Sequence, residues 1–552
     1  MEYLFYTLLF LGVLFVPYFV QKSKRRRKTK MFISNLWGKE DRSNLEQKIK
    51  DFEPVAGYFN NIKKNNDTDF YIDDITWNDL NMDVVYNRIN HTMSVCGEQY
   101  LYLLLRRPTK DPKEIKRRID IISDFSKCIN ECIEIQYLLS CYGKNRQYDF
   151  SKYFFESSGR IAESNIRYIL QDIILIISPL LLLINSFFGV IVAGLLIINI
   201  ITHYMGRRKI LENLSIITWI VELLKCTTKI NKKSFSVLKG YPLKTALKRI
   251  QSRKVNSIYY LIFESQSVVV EYIKALFLAE LITYGKLMKL LERKRSAFRD
   301  LYNMLGEIDA FISIASLRDS LPSWCIPAFL QSNQMYITLK ESYHPLINQP
   351  VTNDLDMREC ILLTGSNASG KSTFLKSVAI NAIFAQTLCT CCASEYTGSF
   401  VNVYTSMALR DDIISAESYY IVEIKSLKRI LDAVLEKSNV LCFVDEVLRG
   451  TNTIERIAAS SEILKRFFKE GSLCMAATHD LELADILAGI YKNYHFQETI
   501  TEDDIQFDYK LYPGKTYTRN AIQLLRLMDY DTEIVLQADI NAKKFLDTGS
   551  WK

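Results

Sequence analysis

The sequence predicts an α/β P-loop domain in the C-terminal part of the chain, preceded by an all-α domain with transmembrane helices. Three observations carry this expectation. A glycine-rich phosphate-loop motif stands at 365–372, directly behind a short apolar run. Two later apolar runs end in acidic or histidine residues, and two stretches, 2–20 and 168–204, are almost wholly apolar.

The 552 residues exceed what one hydrophobic core serves, so about three or four folding units are expected. A net charge of +8 permits contact with nucleic acid or anionic lipid and requires neither. The 12 cysteines have no regular spacing. Cys389, Cys391 and Cys392 cluster behind an apolar run but lack a His–Cys partner set at finger spacing. They read as buried, reduced thiols at a helix end rather than a zinc site, and they suit a reducing compartment.

Residues 1–20 read as a transmembrane anchor and 21–69 as its basic flank and linker. Seven of the nine residues from Lys22 to Lys30 are Lys or Arg, and they follow the apolar run. A cleaved signal peptide has the reverse order, so an uncleaved anchor with a cytoplasmic basic flank is expected. The alternative is a buried or interfacial helix. The second stretch, 168–204, has no charged residue between Ile173 and Thr202. As one helix that run would be about 45 Å long, against a hydrocarbon core of about 30 Å. Asn185 and Ser186, with Gly189 just beyond, suit a turn at its middle, and both flanks are basic (Arg160 and Arg167; Arg207, Arg208 and Lys209). A hairpin of two short spans with both ends in the cytoplasm follows, Asp172 sitting at the mouth of the first. A helical pair buried in a soluble core is the competing reading.

The segments 70–167 and 205–340 show helical periodicity with few Gly or Pro, and 256–290 suggests long packed helices. If these segments form one domain they lie on one side of the bilayer, which again favours an even number of crossings between them.

From 341 to 552 the pattern changes. Cys360–Thr364 reads as a buried strand leading into Gly365, Ser366, Asn367, Ala368, Ser369, Gly370, Lys371, Ser372 and Thr373, a complete Walker A motif with an apolar helix after it. The glycines let backbone N–H groups turn toward phosphate oxygens, and the helix N-terminus adds its positive end. Lys371 reaches the terminal phosphates of ATP, and the Ser372 hydroxyl joins the shell of Mg²⁺. Val440–Val444 is a second strand pattern ending in Asp445, the expected Mg²⁺ ligand, and Glu446, the expected general base. A third ends at Thr478 and His479, where an imidazole can sense or polarise the γ-phosphate.

These residues resemble the MutS family. The segment 445–452 (DEVLRGTN) is similar to its Walker B and following segment, and Asn367 matches its P-loop asparagine. The segment 412–423 (DIISAESYYIVE) resembles the ABC-type signature, and 477–480 (ATHD) the family's histidine switch. Tyr343, His344 and Pro345, then Thr352, Asn353 and Asp354, match landmarks before the loop; 507–514 resembles the late strand and turn. Upstream, 73–108, with Asn90, Gly97, Leu101, Pro108 and then Arg118, is similar to the start of the lever domain, and 305–317 to the lever helix that re-enters the ATPase domain.

The resemblance implies a P-loop ATPase domain of the ABC and MutS type behind an all-α lever domain. It implies composite sites in a homodimer, with Ser418 reaching the partner's ATP, and binding of double-stranded DNA. Only about 50 residues separate the basic flank from the lever-like start, too few for the family's mismatch-reading and connector domains. Two readings follow: a MutS-like ATPase working on DNA beside the cell membrane with its ATPase domain in the cytoplasm, or an ATP-driven mechanical switch acting on the bilayer or a membrane partner without DNA.

Overall fold

The computed structural model describes residues 20–39, 52–66, 69–144, 152–155, 165–251, 255, 259, 268–330, 334–365, 369–407, 419–436, 439–448, 451–500, 505–515, 522, 525–526, 528 and 530–551. The expected anchor, apart from Val20, lies outside them.

The N-terminal part is helical. Helix α1 covers 20–36. It is followed by α2 (Glu53–Asn65), α3 (Asp74–Asp79), α4 (Met82–Ile89), α5 (Val95–Arg106), α6 (Pro112–Lys127), α7 (Ile129–Tyr142) and α8 (Lys152–Phe155). Asp73, Ser94 and Asp111 start α3, α5 and α6 by accepting from N–H groups of the first turn, and Pro112 opens α6 where its missing N–H costs nothing.

The apolar middle folds back on itself. Helix α9 (Ile166–Ile177) runs into a 3₁₀ stretch, Ser178–Leu183, and the chain turns at Asn185, whose side chain accepts from Phe187 N at 2.9 Å. Two segments, Ile166–Leu183 of 18 residues and Ser186–Arg208 of 23, are long and apolar enough to cross a membrane. Only 11% of each is buried, and Leu183, Ile184 and Phe187 are 85, 76 and 74% exposed. Asp172, expected at the mouth of the first span, lies within α9. It is buried and accepts from Asn199 Nδ2 at 3.1 Å across the hairpin.

The second arm does not stop at the basic flank. Helix α10 runs unbroken from Gly189 to Lys233, 45 residues, because Arg and Lys are good helix formers and end nothing. After α11 (Leu243–Ile250) come α12 (Val268–Leu276) and α13 (Ala279–Arg293). The long helices expected over 256–290 are thus interrupted, with Leu278 at φ 42° between α12 and α13. This turn packs beside the hairpin: Asn199 Nδ2 donates to Leu276 O at 2.9 Å, and His203 Nε2 lies 3.0 Å from Glu280 Oε2.

Helix α14 (Arg295–Ser320) is the spine of the helical body, and 17 of its 26 residues, among them Phe298, Leu305 and Phe311, are buried. It crosses α5 closely enough that glycine is required on both sides. A Cβ on Gly306 would stand 2.7 Å from Cys96 O, and one on Gly97 2.2 Å from Asp309 Oδ2. The buried Asp309 carboxylate accepts from Met93 N at 3.0 Å and Ser94 N at 2.8 Å, tying the two family-like segments 73–108 and 305–317 together.

Beyond α14 lie two sheets. The smaller, of order β1-β5-β2-β3, contains β1 (Ala328–Phe329), β2 (Ile337–Ser342), β3 (Asn353–Met357) and β5 (Glu395–Gly398). Strand β2 runs through 340/341, where the sequence suggests a boundary. The larger sheet, of order β10-β9-β4-β8-β7-β6, contains β4 (Cys360–Thr364), β6 (Asn402–Ser406), β7 (Val440–Asp445), β8 (Leu473–Ala477), β9 (Tyr491–Ile500) and β10 (Ile505–Pro513). Neighbouring strands are parallel except β9 and β10. Strands β4, β7 and β8 are buried throughout, as continuous apolar runs in a covered parallel sheet should be. Helices α15 (Lys371–Thr387), α16 (Tyr419–Leu435), α17 (Thr453–Lys469) and α18 (Leu481–Ile486) connect these strands, and α19 (Thr532–Thr548) follows them.

Candidate nucleotide site

The register of three strands brings the sequence motifs to one edge. Leu363 of β4 pairs with Ala477 of β8, and Ala477 pairs with Asp445 of β7. Two strand spacings separate Leu363 from Asp445, about 10 Å. Backbone bonds continue the alignment past the strand ends: Thr478 N donates to Leu363 O at 3.0 Å and Glu446 N to Ala477 O at 2.9 Å. The loop after β4, the acidic pair after β7 and the histidine after β8 therefore share the C-terminal edge of the sheet.

Gly365 has φ 137° and Gly370 φ 103°, backbone that side chains rarely adopt. A Cβ on Gly365 would meet Phe496 O at 2.7 Å. Lys371 is buried at the first position of α15, its ammonium 2.6 Å from Gly365 O. Ser369 is buried, Ser372 half-buried and Thr373 exposed. Ser366, Asn367, Ala368 and Ser418 lie outside the described residues.

Glu446 takes φ 56° just after β7, a conformation costing about 1–3 kcal/mol in a non-glycine residue. Its Oε1 lies 2.6 Å from His479 Nε2. Behind this pair Arg456 grips Asp480 with bonds of 2.8 and 2.6 Å. Asp445 Oδ1 is buried without a hydrogen-bond partner among the described residues. A buried carboxylate oxygen in that state is costly unless a cation or water completes it, so the residues present fit a divalent cation held by Asp445 and Ser372.

Beside the loop is a cavity of about 540 Å³ whose walls include His344, Asn353, Gly370, Ser372, Phe496 and Tyr509. Phe496 meets Phe374 edge to face at 5.7 Å. Tyr509 takes φ 54°, which brings its ring to 3.1 Å from where a Gly370 Cβ would be. Asn353 holds that bend from both sides, donating to Tyr509 O at 2.9 Å and accepting from Leu511 N at 2.8 Å. Burial, with Lys376 adding to it, pushes His344 down to about 4, so its ring is neutral and apolar enough to face a planar ligand. His344 and Asn353 were visible as landmarks in the sequence. Phe496 and Tyr509 were not singled out for the site, and only the spacing of an aromatic near each late strand hinted at them.

Cys389, Cys391 and Cys392 are buried just past α15, and among the described residues no three His, Cys, Asp or Glu side chains are grouped to hold a metal.

An α/β sheet with a phosphate-loop signature at its C-terminal edge, carried on a helical body, is the class of protein these features define. Comparison with known proteins gives the family. Residues 361–546 match the MutS domain V model. The chain is 30% identical over 268 residues to the DNA mismatch repair protein MutS of Petrotoga mobilis, covering 46% of this chain and 32% of that protein. It is 27% identical over 252 residues to MutS of Thermus aquaticus, covering 45% and 30%. It is 30% identical over 287 residues to the DNA mismatch repair protein MSH3 of Saccharomyces cerevisiae, covering 49% and 28%. The C-terminal part of this chain is thus similar to domain V of the MutS family, the family's ATPase region. It spans about a third of the length of these relatives.

Proposed function

We propose that this protein binds and hydrolyses ATP with Mg²⁺ at composite sites of a homodimer, is held at a membrane, and acts on double-stranded DNA. The observation that carries the first part is the shared sheet edge, where Lys371, Asp445, Glu446 and His479 follow from three strands in register. Backbone N–H groups around Ser369 and Gly370 and the Lys371 ammonium would hold the phosphates. Ser372 and Asp445 would hold Mg²⁺, which when bound supplies charge neutralisation at the phosphate oxygens. Glu446 takes the proton of the attacking water, whose oxygen bonds the γ-phosphorus as the bond to the β-phosphate oxygen breaks and ADP leaves. His479 keeps Glu446 aimed through their 2.6 Å contact and senses the γ-phosphate. Ser418 would reach the partner subunit's nucleotide. The aromatic-walled cavity suits the base.

Membrane attachment is supported by the exposed apolar hairpin and by the course of α1. Helix α7 lies antiparallel to α10, with Tyr142 beside Trp219 and Glu134 beside Lys233. Arg26 and Lys30 also reach Glu134, while Lys22 shares a groove with Ser140 and Cys141. Helix α1 therefore runs parallel to α10, away from the hairpin, as expected if an anchor before Val20 crosses in the same direction as the hairpin's second arm. DNA binding is supported by the relatives, which are DNA mismatch repair proteins.

A second reading, a membrane-tethered mechanical switch without DNA, is favoured by the unbroken α10, which joins hairpin to body. ATP turnover of the purified protein, measured with and without duplex or branched DNA and with and without liposomes, separates the two. Stimulation by DNA that weakens with salt supports the first. Response to liposomes alone supports the second, and no ATP turnover at all refutes both.

A further inference from the structure

The chain passes Cys325 as it leaves α14 for β1, and Cys391 as it leaves α15 for β5. These two residues form an antiparallel bridge and exchange both backbone hydrogen bonds, Cys325 N to Cys391 O at 3.1 Å and Cys391 N to Cys325 O at 3.0 Å. A directly opposed pair of this type holds its Cα atoms about 5.5 Å apart, inside the range a disulfide spans. Both thiols are free, and the Cys391 thiol donates to Asn381 O at 3.7 Å.

The two are unequal in a useful way. Cys325 is half-buried at the surface, and the Cys391 thiol beside it favours its thiolate. Cys391 is buried, and burial pushes its thiol up. An accessible thiolate beside a sheltered second thiol is what stepwise disulfide exchange needs. The other close set, Cys360, Cys442 and Cys474 on the central strands, is wholly buried and offers no entry.

We propose that Cys325 and Cys391 are a reversible thiol–disulfide pair, oxidised by a low-molecular-weight disulfide, that fastens the connector between helical body and nucleotide domain. The Cys325 thiolate attacks one sulfur of the small disulfide, forming a mixed disulfide and releasing one small thiolate. Cys391 then loses its proton and attacks the Cys325 sulfur, forming the protein disulfide and releasing the second small thiol. Two protein thiols are oxidised and one small disulfide is reduced. The connector then follows whatever the segment after α15 does, because 325 and 391 become covalently one unit.

The test uses the full chain in detergent or nanodiscs, incubated with oxidised glutathione, alkylated and digested without reduction. The expected result is a 325–391 linked peptide two hydrogens lighter than its parts, lost on adding dithiothreitol. Hydrogen exchange of residues 321–327 should slow at least fivefold on oxidation and recover on reduction. Cys325→Ser, at a half-buried position where folding is preserved, should give neither change, while Cys392→Ser should give both. The proposal is overturned if the exposed Cys141 is glutathionylated while no 325–391 link forms. It is equally overturned if the link forms and exchange of the connector is unchanged. Both readouts are independent of ATP turnover, so failure of the ATPase reading would leave them intact.

Discussion

The Arg318 guanidinium donates to the Cys389 carbonyl at 2.9 Å and, through Nε, to Thr390 Oγ1 at 2.9 Å. Arg318 stands in the last turn of the spine helix α14, and Cys389 follows the helix that begins at Lys371. From a second helix, Arg118 donates to Thr387 O at 3.1 Å while Glu114 steadies it at 2.8 Å. Carbonyls at the end of the phosphate-loop helix are thus capped by arginines of the helical body. Arg318 is 1% exposed and stacks on Trp324 at 4.5 Å.

Arg318→Met keeps the volume and removes the donors. Leaving the Cys389 carbonyl unpaired should cost about 1–3 kcal/mol. Amides of 388–392 should exchange at least tenfold faster by mass spectrometry, while those of β4 and β8 stay protected. Uniform loss of protection across the chain would show a global defect instead.

Lys371→Ala should abolish tight ATP binding. Glu446→Gln should keep binding and lower turnover by about 10²–10⁴-fold, the usual contribution of a positioned base. Equilibrium binding of radiolabelled ATP and phosphate release distinguish the two. Normal turnover in Glu446→Gln would refute the base assignment.

Tyr509→Ala and His344→Ala should each weaken ATP binding by about 5–30-fold through lost ring contact with the base, at about 1–2 kcal/mol each. Because His344 is pushed down to about 4, its ring stays neutral from pH 6 to 8 and affinity should not follow its titration there. Its contribution to stability is present above its ordinary value of about 6.5 and is lost as pH falls through about 4. Isothermal titration at several pH values checks both statements.

Asp309 is pushed up to about 6 by burial, with the Ser94 hydroxyl and the Met93 and Ser94 N–H groups opposing the shift. A raised carboxyl contributes stability below its ordinary value of about 4 and loses it as pH rises through about 6. Relative to Asp309→Asn, the native chain should therefore lose about 3 kcal/mol between pH 4 and 7, read as a growing gap in Tm. Gly97→Ala should lower Tm at every pH, since its Cβ would overlap Asp309 Oδ2.

The phosphate loop, Asp445, Glu446 and His479 were legible because each is local: a buried strand, then the residues its chemistry needs. The cavity beside them was not. Tyr509 lies far along the chain from Gly370 and meets it only through a left-handed bend held by Asn353. The link between Ser94 and Asp309 is invisible for the same reason, being a contact between helices more than two hundred residues apart. The hairpin was legible from its missing charges and its turn from Asn185. Its continuity into the body was not, because Arg207 and Arg208 look like a border and are simply helix.

That continuity has a mechanical consequence. Forty-five residues make a rod about 68 Å long, with no joint between the apolar arm and the helical body. Swinging its inner end by about 10° would carry the far tip sideways by about 12 Å, roughly one helix diameter. Whatever turns the body at one end is thereby delivered, undiminished, to the apolar hairpin at the other.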